Sequence, residues 1–268
     1  MHWKRASHLF FAVTMIAMGV IGLLGGSFAP IWNSVPKDLP GRESLAFASS
    51  LVSLVTGAGL LARRSAAPAA LVLFLALLAW TLAFKVPIMV HSPLEEVAYQ
   101  SCGENAVLIA AAWLLYAEFA RNRTFPAGDL GLRIAYLLYG LALIAFGLSH
   151  FFYLQMTAPL VPSWLPAHVF WAYLTGGIYL ATGLAIALGL APHFAAFVAA
   201  IQIALITFLV WGPMLLAGNL TAMHWQETAV SWALTAGAWV MATGSPPATG
   251  SIRFPSRQGR LALSDRNP

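Results

Sequence analysis

The sequence predicts an all-α membrane protein with eight transmembrane helices, arranged as two parallel four-helix repeats. Three observations predict this. Apolar runs long enough to cross a bilayer, which takes roughly 20 residues per helix, recur along the chain. The chain is 60% hydrophobic and 9% charged, whereas soluble domains carry about 25% charged residues. A single offset of 126 residues pairs Val35-Pro-Lys-Asp-Leu-Pro40 with Val161-Pro-Ser-Trp-Leu-Pro166, Thr56-Gly57 with Thr182-Gly183, Pro87 with Pro213, Gln100 with Gln226 and Trp113 with Trp239. One offset held across most of a half-chain marks a tandem duplication.

The first repeat, residues 1–120, contains apolar segments at His8–Phe28, Ser44–Ala62, Ala67–Val90 and Glu104–Ala120. Residues 121–131, with Pro126 and Gly128, read as a cytoplasmic linker. The second repeat, residues 132–243, has its segments at Leu130–Tyr153, His168–Leu190, His193–Leu216 and Gln226–Thr243. Aligning the first helices takes a two-residue gap, which lays Ala17-Met18-Gly19 on Ala145-Phe146-Gly147. Four helices per unit is an even number, so both units enter the bilayer from the same side. They are then expected to be related by an axis along the membrane normal. Residues 244–268 are Ser, Pro, Gly and Arg with little apolar content, a composition expected to be disordered. The N-terminal segment resembles a signal peptide, with Lys4 and Arg5 before an apolar stretch. It is expected to be retained, because Pro30 would follow the cut directly and the segment has a counterpart in the second repeat.

Orientation follows from the charges. Eleven basic residues (Lys4, Arg5, Arg63, Arg64, Arg121, Arg123, Arg133, Arg253, Arg257, Arg260 and Arg266) fall on one side, against three (Lys37, Arg42 and Lys85) at or near the other. The positive-inside rule then places both termini in the cytoplasm, in what is read as a bacterial inner membrane. Asp38, Glu43, Glu95, Glu96, Glu104 and Glu227 lie at the outer side. Trp32, Trp164 and Trp225 are expected at the outer boundary, where indoles concentrate. The net charge of +5 belongs to these loops and the tail and implies no nucleic-acid partner; the partner is the lipid bilayer. One cysteine, Cys102, excludes an intramolecular disulfide and a C-x-x-C site.

Polar groups within the helices are few, and each is costly in hydrocarbon unless paired or interfacial. Lys85, two residues before Pro87, reads either as a partner for an anion inside the bundle or as a lysine snorkelling to the headgroups. His150, at the outer end of the fifth helix, could carry a proton or donate to a ligand's polar head. It could equally bond a loop carbonyl. His168 and His224 flank outer helix starts and form a looser set with it, but the spacing has no metal-motif form, so no metal site is assigned. Glu104 and Glu227 are expected in the first turn of each repeat's fourth helix. A carboxylate there offsets the helix dipole by about 0.3–1 kcal/mol, and it could also serve a ligand. Gln202, in mid-helix, is expected to bond a neighbouring helix. Glu118 and Arg121 are spaced for an ordinary pair. Gly19, Gly57, Gly176 and Gly183 suit close helix contacts. There is no strand-borne Gly-rich loop, Ser/His/Asp order or Cys/His cluster.

With Gly147-x-x-His150-Phe151, Val161-Pro-x-Trp-Leu-Pro166 and Thr182-Gly183 in place, the chain resembles the DoxX/DoxD-like family of small membrane proteins. The resemblance covers Leu130–Thr243 and, more weakly, the first half, where Gly22 stands at the place of His150. It implies a four-helix membrane unit with a Gly-rich first helix and a Pro-rich outer loop. It also implies association with sulfur or quinone redox, including a thiosulfate:quinone oxidoreductase subunit. Members often carry a glutamate four residues before the second-helix glycine; here those positions are Tyr179 and Ser53. The expected function is therefore an accessory, more non-catalytic than enzymatic, membrane component of a redox system. It would bind a lipophilic or small anionic ligand near the outer leaflet, with a redox partner subunit and, by resemblance, quinone as the candidate cofactor. A facilitative transporter of a small apolar or weakly acidic solute and a scaffold without turnover are the other readings.

Overall fold

The computed structural model describes residues 2–120, 124–218 and 221–246, without the side chains of residues 2–5. Eight long helices run through it with no strand among the described residues. They are α1 (His2–Gly25), α2 (Arg42–Leu61), α3 (Ala66–His91), α4 (Glu96–Phe119), α5 (Asp129–Phe152), α6 (His168–Ala187), α7 (Pro192–Leu216) and α8 (Ala222–Thr243). Six of them, all but α4 and α8, are long and apolar enough to cross a membrane. Local chemistry sets several ends. Gly26 takes a left-handed φ of 58° just past α1, the conformation that closes a helix and that glycine adopts without a Cβ penalty. Pro192 opens α7, where its missing N–H costs nothing.

The helices pack as neighbours around a centre. α1 lies on α2, α2 on α3, α3 on α4, α4 on α5, α5 on α6, α6 on α7, α7 on α8 and α8 back on α1. α4 and α8 also touch each other across the middle. That position explains why the two central helices lack the long apolar window that the other six carry. Fifteen of 24 residues in α4 are buried, against seven of 20 in α2. A helix surrounded by protein has less need of an apolar surface than one facing lipid. The α4–α8 contact is close, with Gly237 of α8 set against Val107, Leu108 and Ala111 of α4.

Small residues bring α5 and α6 within backbone contact. A Cβ on Gly183 would stand 2.7 Å from the Gly140 carbonyl oxygen, and one on Gly147 would stand 2.9 Å from that of Gly176. α1 and α2 meet the same way, Gly57 lying against the backbone of Ala12 and Ile16. In lipid, where apolar surface alone gives no drive to associate, such contact is what holds helices together.

Element boundaries in the two halves keep the offset seen in the sequence. Arg42–Leu61 and His168–Ala187 stand 126 residues apart at both ends. So do two π-helical turns, Thr81–Lys85 in α3 and Thr207–Trp211 in α7. Each π turn precedes a proline, Pro87 or Pro213. A proline clashes with the carbonyl four residues back and supplies no N–H, and a single widened turn is a common way for a helix to absorb such a fault. Short 3-10 turns at Pro30–Trp32 and Ala158–Leu160 follow α1 and α5, here 128 residues apart, matching the two-residue gap.

Several expectations change. α4 begins at Glu96 and α8 at Ala222, one to two turns before the apolar runs begin. Glu104 and Glu227 therefore sit inside their helices and do not cap them. The polar turns ahead of them are helical because they pack on neighbouring helices, a stabilisation that hydropathy does not register. Trp32 is buried at 1% exposure and is no boundary residue: its indole N–H donates to Ser53 Oγ at 2.7 Å. Trp164 and Trp225 are exposed. Gln202 donates to the Thr175 carbonyl of α6 at 2.9 Å, the interhelical bond expected of it. Arg121 and Arg123, and the tail from 247 with Arg253, Arg257, Arg260 and Arg266, lie outside the described residues. Glu118 accepts from the Ser245 N–H at 3.0 Å.

Candidate functional site

The π turn of α3 presents Thr81 and Lys85 to α4. Lys85 is buried, at 1% exposure. Its ammonium donates to the Ser101 carbonyl at 3.0 Å and stands 3.9 Å from Glu104 Oε2. The structure thus removes the snorkelling reading: the side chain turns inward to α4. One turn earlier, Asn105 Nδ2 donates to Thr81 Oγ1 at 3.0 Å, and Thr81 donates back to the Leu77 carbonyl at 2.8 Å. Asn105 Oδ1 is buried with no partner. Glu104 keeps 14% of its side chain exposed, and Glu227, arriving from α8, is near enough to act on it through space. Cys102 lies within electrostatic reach of both Lys85 and Glu104. Lys85 and Glu104 therefore form a pair at the acidic end of α4, with Glu227 within electrostatic reach of Glu104.

The histidines make contacts of their own. The Nδ1–H of His150 donates to the Phe146 carbonyl one turn back, at 2.7 Å, and its ring lies 5.5 Å from that of Tyr179 on α6. That backbone bond leaves Nε2 as the imidazole's remaining polar atom. Tyr179 belongs to a second polar group: it adjoins Gln202 and Tyr139, whose hydroxyl is buried without a partner. His224 lies against Trp211, ring centroids 6.4 Å apart, and its backbone N–H is capped by Thr221 Oγ1 at 3.2 Å. His168 opens α6, half-buried. Of the six candidates, Lys85 and Glu104 are thus brought together and Glu227 acts on Glu104 through space, while His150 and His224 meet aromatic rings.

Glu96 was read only as an outer acidic residue. It opens α4 buried at 9% exposure, with neither carboxylate oxygen bonded. Thr81 and Asn105 escaped the sequence reading altogether. The signal for them was the spacing: Thr81 sits one turn before Lys85, and Asn105 is adjacent to Glu104. Among the described residues no three His, Cys, Asp or Glu side chains gather in a way that would hold a metal ion. An apolar hollow of about 500 Å³ lies elsewhere, at the opposite end of the helices, lined by Ala191–Phe194, Phe197 and Pro246.

No family model matches the chain, and neither a curated protein nor a solved structure matches it.

Proposed function

We propose that the chain is a DoxX-like integral membrane protein, non-catalytic in itself, that serves as an accessory component of a sulfur- or quinone-related redox system. In this reading it holds a ligand whose apolar body lies among the helices and whose polar head meets the Lys85–Glu104 pair. The observation that carries the ligand site is the burial of Lys85 at 1% exposure beside Glu104. Ionisable groups inside a membrane protein are costly and mark functional sites by default. The redox assignment rests on the resemblance around Gly147, His150 and Thr182-Gly183.

The reading takes all eight helices as spans in two parallel four-helix repeats. α4 and α8 have 24 and 22 residues, about 36 and 33 Å at 1.5 Å per residue, enough for a hydrocarbon core of about 30 Å. Exchanging the two halves leaves the set of helix contacts unchanged, with α4 and α8 meeting each other. That pattern supports an axis between those two helices. The closeness of the α4–α8 contact at Gly237, Val107, Leu108 and Ala111 gives no support to passage of a solute between the halves. The charge balance at Lys85, already paired with Glu104, supports a lipophilic ligand better than an anionic one.

Native mass spectrometry of the protein in mild detergent tests this. A small lipophilic molecule or a redox partner chain should be retained, and His150→Ala should leave retention by the charged pair largely intact. Purification with neither bound, from membranes that contain both, would sink the proposal.

A further inference from the structure

The first turn of α7 leaves apolar surface uncovered. The hollow of about 500 Å³ that opens there is walled by Ala191, Pro192, His193, Phe194, Phe197 and Pro246. Phe194 is 70% exposed and Phe197 42%, so two aromatic side chains of the wall lack a protein cover. Backbone donors lie in the same wall. The helical bonds of α7 begin at the Ala195 N–H, which reaches the Ala191 carbonyl at 3.0 Å. The amides ahead of it have no helical acceptor. Pro192 has no N–H, and Ala191 supplies no capping side chain for those of His193 and Phe194. An occupant with apolar side chains and backbone carbonyls meets both needs, whereas a lipid acyl chain meets only the first.

The chain itself leads to the hollow. Past α8, the Gly244 N–H bonds the Val240 carbonyl at 2.9 Å, and the Ser245 N–H bonds Glu118 Oε1 at 3.0 Å. Thr243 is held too, its Oγ1 standing 2.6 Å from Ser7 Oγ. The backbone is therefore anchored right up to Pro246, which is part of the wall. The sequence then runs Pro247-Ala-Thr-Gly-Ser-Ile252-Arg-Phe254-Pro255. Ile252 and Phe254 are its first large apolar side chains after Pro246. Their spacing of two sets both on one face of an extended chain, with Arg253 on the other. Pro255 favours that extended conformation at the residue before it. Residues 247–251 form the tether, ~17 Å at full stretch. A tether so short keeps the pair beside the hollow at an effective concentration on the order of millimolar.

We propose that segment 252–255 of this chain docks in the hollow. Ile252 and Phe254 cover Phe194 and Phe197, and backbone carbonyls of the segment accept the His193 and Phe194 N–H groups. Arg253, on the opposite face, stays in water or among headgroups. This is an intramolecular contact, independent of the ligand site at Lys85.

The test uses the full chain in lipid nanodiscs, which leave both faces open to water. Cys102→Ala removes the native thiol and His193→Cys supplies one in the wall. His193 is exposed, so this variant should fold. The rate of reaction with a water-soluble maleimide is measured. The expected result is a slow reaction, made about tenfold faster or more by Ile252→Ser with Phe254→Ser and left unchanged by Arg253→Ser. Equal rates with and without Ile252 and Phe254 would overturn the proposal: fast in both means an open hollow, and slow in both means one filled by lipid. Faster reaction on Arg253→Ser, with none on replacing the apolar pair, would overturn it in favour of a tail held on headgroups by charge.

Discussion

The two π turns are the most instructive pair of places in the molecule. Thr81–Lys85 and Thr207–Trp211 occupy equivalent positions, share a preceding helix of 15 residues and are followed by a proline. In both, the opening threonine bonds back to the previous turn, Thr81 to Leu77 and Thr207 to Ile203. In both it also reaches the central helix, through Asn105 in one half and through Thr235 Oγ1 and the Ser231 carbonyl in the other. The closing residue then differs. Lys85 meets a carbonyl and a carboxylate, whereas Trp211 meets the ring of His224. The same backbone fault thus supports a charged site on one side and an aromatic contact on the other. The backbone is set by proline and threonine, and the chemistry by one side chain and what the central helix offers it.

The comparison can be broken most severely at Lys85. Lys85→Met should destabilise the protein by about 3 kcal/mol, because Glu104 is left buried without its counter-charge. Adding Glu104→Gln should restore most of that loss, since breaking a buried pair costs more than removing it whole. Thermal unfolding in detergent reads both, and a double variant no more stable than the single one would show that the pair is not the cause.

A smaller effect is expected at the helix crossings. Gly183→Val should cost about 2 kcal/mol by forcing α5 away from α6, whereas Gly177→Ala should be close to neutral, since a Cβ there meets nothing within 4 Å. Equal melting temperatures for the two variants would refute backbone contact as the glue.

The smallest difference lies between the threonines. Thr207→Val and Thr81→Val should each cost about 1 kcal/mol for a lost hydrogen bond. Thr81→Val should cost the more of the two, because Asn105 Nδ2 would lose the acceptor at 3.0 Å that it now has. The reverse order would mean that Thr207, with partners at both Ser231 and Thr235, anchors its turn more firmly than Thr81 does.

Much of the architecture was legible from residues alone. Apolar runs located α1, α2, α3, α5, α6 and α7, because a lipid-facing helix must show its apolarity over its whole length. The repeated offset located the corresponding breaks, down to Pro87 and Pro213. The starts of α4 and α8 were misread by one to two turns, since a helix sheathed by protein tolerates Glu96, Gln100 and Glu104 where a lipid-facing one would not. The candidate site was legible as a set of residue types on one side of the membrane. Its pairings were not: nothing in the spacing tells that Lys85 turns to Glu104 or that His224 meets Trp211.

What the sequence by itself determined is the helical class, the apolar lengths and the order of breaks, because these follow from local covalent facts such as the ring of proline and the missing Cβ of glycine. What only the tertiary structure decided is the direction of each polar side chain. Lys85 could reach headgroups or protein with equal ease from its own helix, and the choice fell to α4, which sets the Ser101 carbonyl 3.0 Å away and Glu104 Oε2 3.9 Å away. Trp32 likewise turned inward because Ser53 stood ready to accept its N–H. A polar group in an apolar surrounding goes to the partner that spares it desolvation, and partners contributed by other helices lie far away along the chain.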